Sequence, residues 1–476
     1  MRNRIKKLKM KNIKYILFPT ALIVLQSCFV AKDYSRPQAE IINEQYFRTD
    51  QISTDSLSLA SVSWKEIFTD ENLVRHINKA LENNIDIRIA LQNIAAAEAY
   101  MKQGKAGYFP TLNANAGYTY TSPSLNSASG LALGERDWVG QSELALGLSW
   151  EADIWGKIRS SERAAKASYL QTVSAHQAIK SNLVANIASN YYRLLALDEQ
   201  KRITEETIAN REESLGTIQL LKDAGNVTEV AVKQTEAQLL NAKSLLLDIN
   251  NDIKLLENAF SILLGENPHA IERSSLASQE INQELKYGVP IQLLSNRPDV
   301  MAAEYALINA FELTNVARSN FYPSLRLSAN GGLQSIEFED LFSANSLFAS
   351  IVGSLTQPIL NGRQIKTQYE VSKAQQEAAL LDYKYTVLNA SREVSDALYT
   401  FQTNDEKIGL KQQEYEAYQQ AIEFSEELQV YGMANYLEVL TARENALTAQ
   451  LAVVNTEFGK LNAMVQLYRA LGGGWR

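Results

Sequence analysis

Cysteine and histidine are scarce in this chain of 476 residues: there is one of the first and three of the second. A single thiol excludes an internal disulfide. His76, His176 and His269 lie far apart with no Cys or second His nearby, which argues against a zinc site or a histidine base. An excess of bases is missing too, with Lys+Arg 46 against Asp+Glu 54. Residues 1–27 hold seven bases and no acid, so the remainder carries 39 bases against 54 acids, a net −15. Such a chain suits phosphate-backbone binding poorly, and no nucleic-acid partner is expected. No apolar run of about 18 residues follows residue 28, so no transmembrane helix is expected. No phosphate-cradling loop follows a strand, Gly472-Gly473-Gly474 begins no helix, and no Gly-x-Ser-x-Gly elbow occurs. Glu162, Glu205 and Glu206 read as solvated helix faces. An enzyme is therefore the least favoured class, and no cofactor or metal is expected. The hydrophobic fraction of 46% and charged fraction of 21% are still those of a folded protein.

What is present begins with an address. The basic stretch to Lys14 runs into Tyr15–Leu25, eleven mostly apolar residues, too short to span a bilayer and shaped like a secretory signal. It ends in Leu25-Gln26-Ser27-Cys28, which resembles a bacterial lipobox with Cys28 as the acylated first residue of the mature chain. The alternative is a plain secretory signal followed by an incidental cysteine. Several acyl chains, at about 0.8 kcal/mol per buried methylene, anchor firmly.

The rest reads as one unit written twice. At an offset of 213, Asn83, Asp86, Ala90, Ala97, Pro110 and Leu112 match Asn296, Asp299, Ala303, Ala310, Pro323 and Leu325. Downstream the offset falls to 206–207, matching Gly156 with Gly362, Gly225 with Gly432, and Gly265 with Gly472. The expected division is 1–27 signal, 28–62 extended segment, 63–270 first repeat and 271–476 second repeat.

Each repeat contains two stretches of strict alternation, expected as strands at about 111–121, 140–151, 324–334 and 346–357. Leu112, Ala114, Ala116, Tyr118 and Tyr120 alternate with Thr111, Asn113, Asn115, Gly117 and Thr119. Leu144, Leu146, Leu148 and Trp150 alternate with Glu143, Ala145, Gly147 and Glu151. A period of two with one apolar face suits either a half-buried soluble sheet or a membrane β-barrel wall. Four strands cannot close a barrel, because even small ones need about eight; if these face lipid, several chains must share one.

Between Lys157 and Leu221 there is no proline and a single glycine, Gly216. As one helix this would extend roughly 100 Å. Leu183, Ile187, Tyr191 and Leu194 mark an apolar stripe along it. A turn at Gly225 leads to a second helix from Glu229 to Leu264. The second repeat does the same from Arg363 to Val430, with a turn at Gly432 and a helix from Tyr436 to Leu471. Long Ala-rich amphipathic hairpins read as coiled-coil layers.

At several points these residues resemble the outer membrane efflux protein (TolC-like) family. Trp64 with Phe68, Ala80-Leu81 and Asn83/Asn84 is similar to its opening helix. Tyr34-Ser35-Arg36-Pro37, Trp150–Lys157 and Asn296–Val300 with Ala303-Glu304 resemble its lipoprotein branch, which serves resistance-nodulation-division pumps. Val430–Gly432 followed by Tyr436–Leu440 and Ala442-Arg443 matches its second hairpin turn. The resemblance implies mixed α and membrane-β architecture. Four transmembrane strands per chain contribute to a trimeric outer-membrane barrel, which a periplasmic α-helical barrel continues. It implies a passive exit duct for small molecules, joined through a periplasmic adaptor (membrane fusion) protein to an inner-membrane transporter. A type I secretion duct for polypeptides is the nearest rival, and a non-transporting surface lipoprotein with a coiled-coil stalk is the rival of another class.

The family also implies roles for residues. Asn113, Asn115, Glu143, Glu151 and Arg326 would line the barrel lumen, and the apolar face would meet lipid. The family's periplasmic gate is a set of acidic rings, whose first position falls on Glu438. The next is Thr441 here, and the first-repeat equivalent of Glu438 is Ala231, with Glu229 two residues earlier. Three converging carboxylates would repel one another and attract cations. Gly225, Asn226 and Val227, with Tyr431, Gly432, Met433 and Ala434, would form the tips that contact the adaptor, although a plain helix hairpin also needs a glycine there.

Overall fold

The computed structural model describes residues 31–37, 59–279 and 292–476. The signal segment and Cys28 lie outside the described residues. The main elements in chain order are α1 (Glu71–Asn83), α2 (Ile85–Ala106), β1 (Thr111–Thr121), β2 (Val139–Ala152), α3 (Lys157–Asp223) and α4 (Glu229–Leu263). After these come α5 (Pro298–Ser319), β3 (Ser324–Ser335), β4 (Leu347–Thr356), α6 (Gln364–Val430) and α7 (Tyr436–Ala470). The two repeats match to the residue in their long helices: α3 and α6 each have 67 residues, α4 and α7 each 35. Among the described residues no helix is long and apolar enough to cross a membrane.

The chain divides into two compact units, and each takes segments from both repeats. The first unit contains the sheet, with residues 31–36, 95–170 and 304–381. Its strands form one antiparallel sheet in the order β1-β2-β3-β4. Asp153 starts α3 by accepting from the amides of Ile158 (2.8 Å) and Arg159 (3.0 Å). The second repeat lacks that carboxylate, with Ile359 there instead. Its helix begins one residue later than the pattern predicts, at Gln364, because Gly362 and Arg363 both take left-handed backbone, at φ 60° and 68°.

An extended segment, 31–36, is tied along α5. Asn315 exchanges hydrogen bonds with the backbone of Lys32 (3.2 and 2.9 Å), and Tyr34 meets Phe311 edge-on at 5.7 Å. Arg36 grips Glu304 with two bonds of 2.6 and 2.7 Å. Bidentate geometry of this kind satisfies a carboxylate that is almost fully buried.

The second unit holds α1, α4 and α7 with the greater parts of α3 and α6. α1 is capped by Asp70, which accepts from Asn72 N and Leu73 N, and it buries Leu73, His76, Ile77 and Ala80 at helical spacing. On α3, Leu183, Ile187, Tyr191 and Leu194 are all at most 5% exposed, so the apolar stripe is core. Charges are also buried here, in pairs. Arg297, 4% exposed, bonds Asp299 (2.6 Å), Glu393 (2.9 Å) and the Ala470 carbonyl (3.0 Å). Burial alone would raise the Asp299 carboxyl, but the Arg297 guanidinium overrides it and holds the carboxyl below its ordinary value.

Candidate functional site

Residues directly opposite across a β ladder share a face, so the register decides whether the four alternating patterns combine. They do. Leu112 faces Leu148, which faces Ala329, which faces Ile351. Ala116, Leu144, Leu333 and Leu347 form another row, and Leu325 lies opposite Leu355. One face of the sheet is therefore apolar across all four strands. Leu112, Leu146, Leu325, Ile351 and Leu355 on it are exposed. A contiguous exposed apolar surface of this kind requires a partner or a lipid environment. Aromatics sit at both ends of the sheet. Tyr118 stacks on Tyr120 and Tyr120 on Trp138 at one end; Trp150 donates to the Tyr108 carbonyl (2.9 Å) at the other.

The opposite face carries Asn113, Asn115, Glu143, Glu151 and Arg326, of which Glu151 and Arg326 touch. Asn113 lies in a row with Gly147, Asn330 and Ser350, and Glu151 is directly opposite Arg326. Arg326 bonds Glu151 at 3.1 Å, and Lys157, from the first turn of α3, reaches the same carboxylate at 2.9 Å. Sequence reasoning did not connect Lys157 to this group. The signal lay in the Trp150–Lys157 run, where Lys157 follows Glu151 across the glycine turn. β1 and β4 are the sheet's two edges, each paired on one side only.

In the second unit, Gly225 (φ 79°) and Gly432 (φ 69°) each end a long helix in left-handed backbone. Asn226 N donates to Leu221 O and Gly225 N to Lys222 O; Met433 N donates to Leu428 O and Gly432 N to Gln429 O. Both tips are thus the same helix-ending motif. No neighbouring atom crowds a Cβ built at either glycine, so backbone angle, not space, selects glycine. The first tip is bridged by Lys222 to Glu229 at 3.3 Å, and that bond holds the Lys222 ammonium above its ordinary value. The second tip is more apolar, with Val430, Tyr431 and Met433 exposed. Asn226 and Gly432 are exposed, while Val227 and Ala434 are half-buried.

Glu438 lies in the first turn of α7, exposed and without an ion pair among the described residues. Thr441, one turn on, is exposed and its hydroxyl donates back to the Leu437 carbonyl. Ala231 lies in the first turn of α4 and is half-buried, and Glu229 is taken up by Lys222. The two hairpins meet just behind the tips. Arg211 on α3 bonds Glu444 on α7 (2.6 Å), and Arg443 on α7 bonds Glu426 on α6 (2.5 Å) and the Ser214 hydroxyl on α3.

A sheet with a continuous apolar face, a polar reverse, aromatic ends and two open edges, carried by long helical hairpins, defines a subunit of a membrane β-barrel channel. The chain belongs to the outer membrane efflux protein family, whose model matches residues 76–266 and 289–473. It is an outer-membrane channel component of an efflux system. The solvent efflux pump outer membrane protein SrpC of Pseudomonas putida is 29% identical over 96% of this chain and 97% of its own. The cation efflux system protein CusC of Escherichia coli O157:H7 is 27% identical over 98% and 100%. The probable outer membrane lipoprotein SilC of Salmonella typhimurium is 26% identical over the same shares. A crystal structure of a membrane protein from Pseudomonas aeruginosa superposes with a TM-score of 0.84 at 27% identity, covering 94% of this chain and all of that one.

Proposed function

We propose that three copies of this chain close one outer-membrane barrel and act as the passive exit duct of a tripartite pump. The carrying observation is the sheet: its apolar face runs unbroken over four strands while both edges stay open. Open edges in lipid leave backbone groups unsatisfied at several kcal/mol each, and only closure removes them. Four strands are too few to curl shut alone, and three copies supply twelve. The polar face, with Asn113, Asn115, Glu143, Glu151 and Arg326, then lines a water-filled lumen. The tips at Gly225 and Gly432 meet a periplasmic adaptor, which joins the duct to an inner-membrane transporter. Glu438 supplies a single acidic ring near them. Cys28 carries the acyl chains, a reading supported by the lipoprotein name of SilC.

The exported cargo follows from the pump rather than from this chain. Relatives named for a solvent and for cations differ by only two percentage points in identity to it. Purified protein in detergent should scatter light as a trimer and conduct ions in planar bilayers in single-channel steps. A monodisperse monomer without conductance would overturn the duct reading.

A further inference from the structure

The join between the two repeats inside one chain shows how the join between two chains can be built. β2 ends the first repeat's half of the sheet and β3 begins the second's, and the two pair from Ser142↔Ser335 to Ala152↔Leu325. At the foot of this join, the connector after β2 lies on the segment before β3. The Trp155 ring is 4.9 Å from that of Tyr322, and its indole N–H donates to the Pro323 carbonyl at 2.7 Å. In the same connector Asp153 is engaged in capping α3.

The second repeat carries the matching connector after β4, Ile359-Leu360-Asn361-Gly362. The first repeat carries the matching lead-in before β1, Tyr108-Phe109-Pro110, aligned with Phe321-Tyr322-Pro323. Because β1 and β4 are the two edges, these segments cannot meet within one chain as their counterparts do. Ile359 is 91% exposed, Leu360 95% and Phe109 69%. The capping Asp153 has become an apolar residue, and the indole donor has become the Asn361 amide. An isoleucine and a leucine this exposed at adjoining positions call for a covering surface.

We infer that Ile359, Leu360 and Asn361 of one copy pack on Tyr108, Phe109 and Pro110 of the next, with the Asn361 amide donating to the Pro110 carbonyl. This rests on the reading that copies join β4 to β1. The occupant is a second copy rather than lipid, because the aromatic-Pro lead-in already covers such a connector inside the chain. A side-chain amide also finds no acceptor in hydrocarbon. The repeat fixes a register as well. The pairs Leu112↔Leu148 and Leu325↔Leu355 superpose the β1–β2 and β3–β4 ladders. Carrying Leu148↔Ala329 and Leu144↔Leu333 over by the same relation sets Leu355 opposite Ala116, and Ile351 opposite Tyr120, of the next copy.

The test uses the full chain, whose one native cysteine is Cys28. Leu360→Cys with Phe109→Cys, oxidised in membranes, should give a ladder of covalent dimer and trimer on a non-reducing denaturing gel. Neither single variant should do so. Leu355→Cys with Ala116→Cys should give the same ladder from the strand edges. A trimer by light scattering that yields the edge ladder but no ladder from Leu360 and Phe109 overturns the packing and leaves the closed barrel standing. A trimer with no ladder from either pair overturns both packing and register. A monomer from the unsubstituted chain overturns the barrel reading and this contact with it.

Discussion

Buried Arg297 holds its acidic partners by charge as well as by hydrogen bonds. Arg297 is nearly fully buried and bonds both Asp299 and Glu393; truncating it strips part-exposed Asp299 of its guanidinium, while Glu393 keeps Arg469 at 3.5 Å, a loss of about 2 kcal/mol. Its pH dependence has a definite sign. The folded Asp299 carboxyl lies below its ordinary 3.8, so its stabilisation is fully present above that value and is lost as pH falls through the lower folded one. Guanidinium unfolding should therefore show Asp299→Asn less stable than the unsubstituted protein at pH 7, with the gap narrowing below about pH 3.8. An equal gap at pH 7 and pH 3 would refute the linkage. Glu438 is a different kind of residue, exposed and without an ion pair among the described residues. If three copies form a ring near the axis, Glu438→Ala should raise single-channel conductance or weaken block by multivalent cations; no change in either removes it from the gate.

At the scale of elements, the two tips carry the sharpest expectation. Gly432 takes left-handed backbone in open space, so Gly432→Val strains the turn by roughly 1–2 kcal/mol without a clash. The variant should still form trimers, yet fail to retain a periplasmic adaptor in a pulldown; retention at the level of the unsubstituted chain would exclude the tip as a contact. The strands and long helices were legible in the sequence because their periods of two and 3.6 are written along the chain itself. Leu112–Tyr120 needs no distant information to be read as a strand. What was not legible depends on distance. Arg36 reaches Glu304 across 268 positions, and Lys157 joins the Glu151–Arg326 pair only once the sheet register is set. The left-handed Arg363 was hidden too, since a charged residue gives no cue to a backbone angle that normally favours glycine.

For the molecule as a whole, the pattern of apolar residues carries what composition does not. The absence of a long apolar run is the expected signature of a membrane protein whose apolar residues fall at every second position. The lipid anchor rests on a separate signal, and Cys28→Ala should abolish metabolic labelling by a radioactive fatty acid; persistent labelling would sink it. The matched helix lengths have their own consequence. Helices of 67 and 67 residues, and of 35 and 35, are tied side by side near their tips through Arg211, Arg443 and Glu444. Like the legs of a table, they tolerate change only together. An insertion in one hairpin shifts the cross-ties on the tip side of it out of step unless the other takes the same insertion, so the two hairpin lengths are bound to each other.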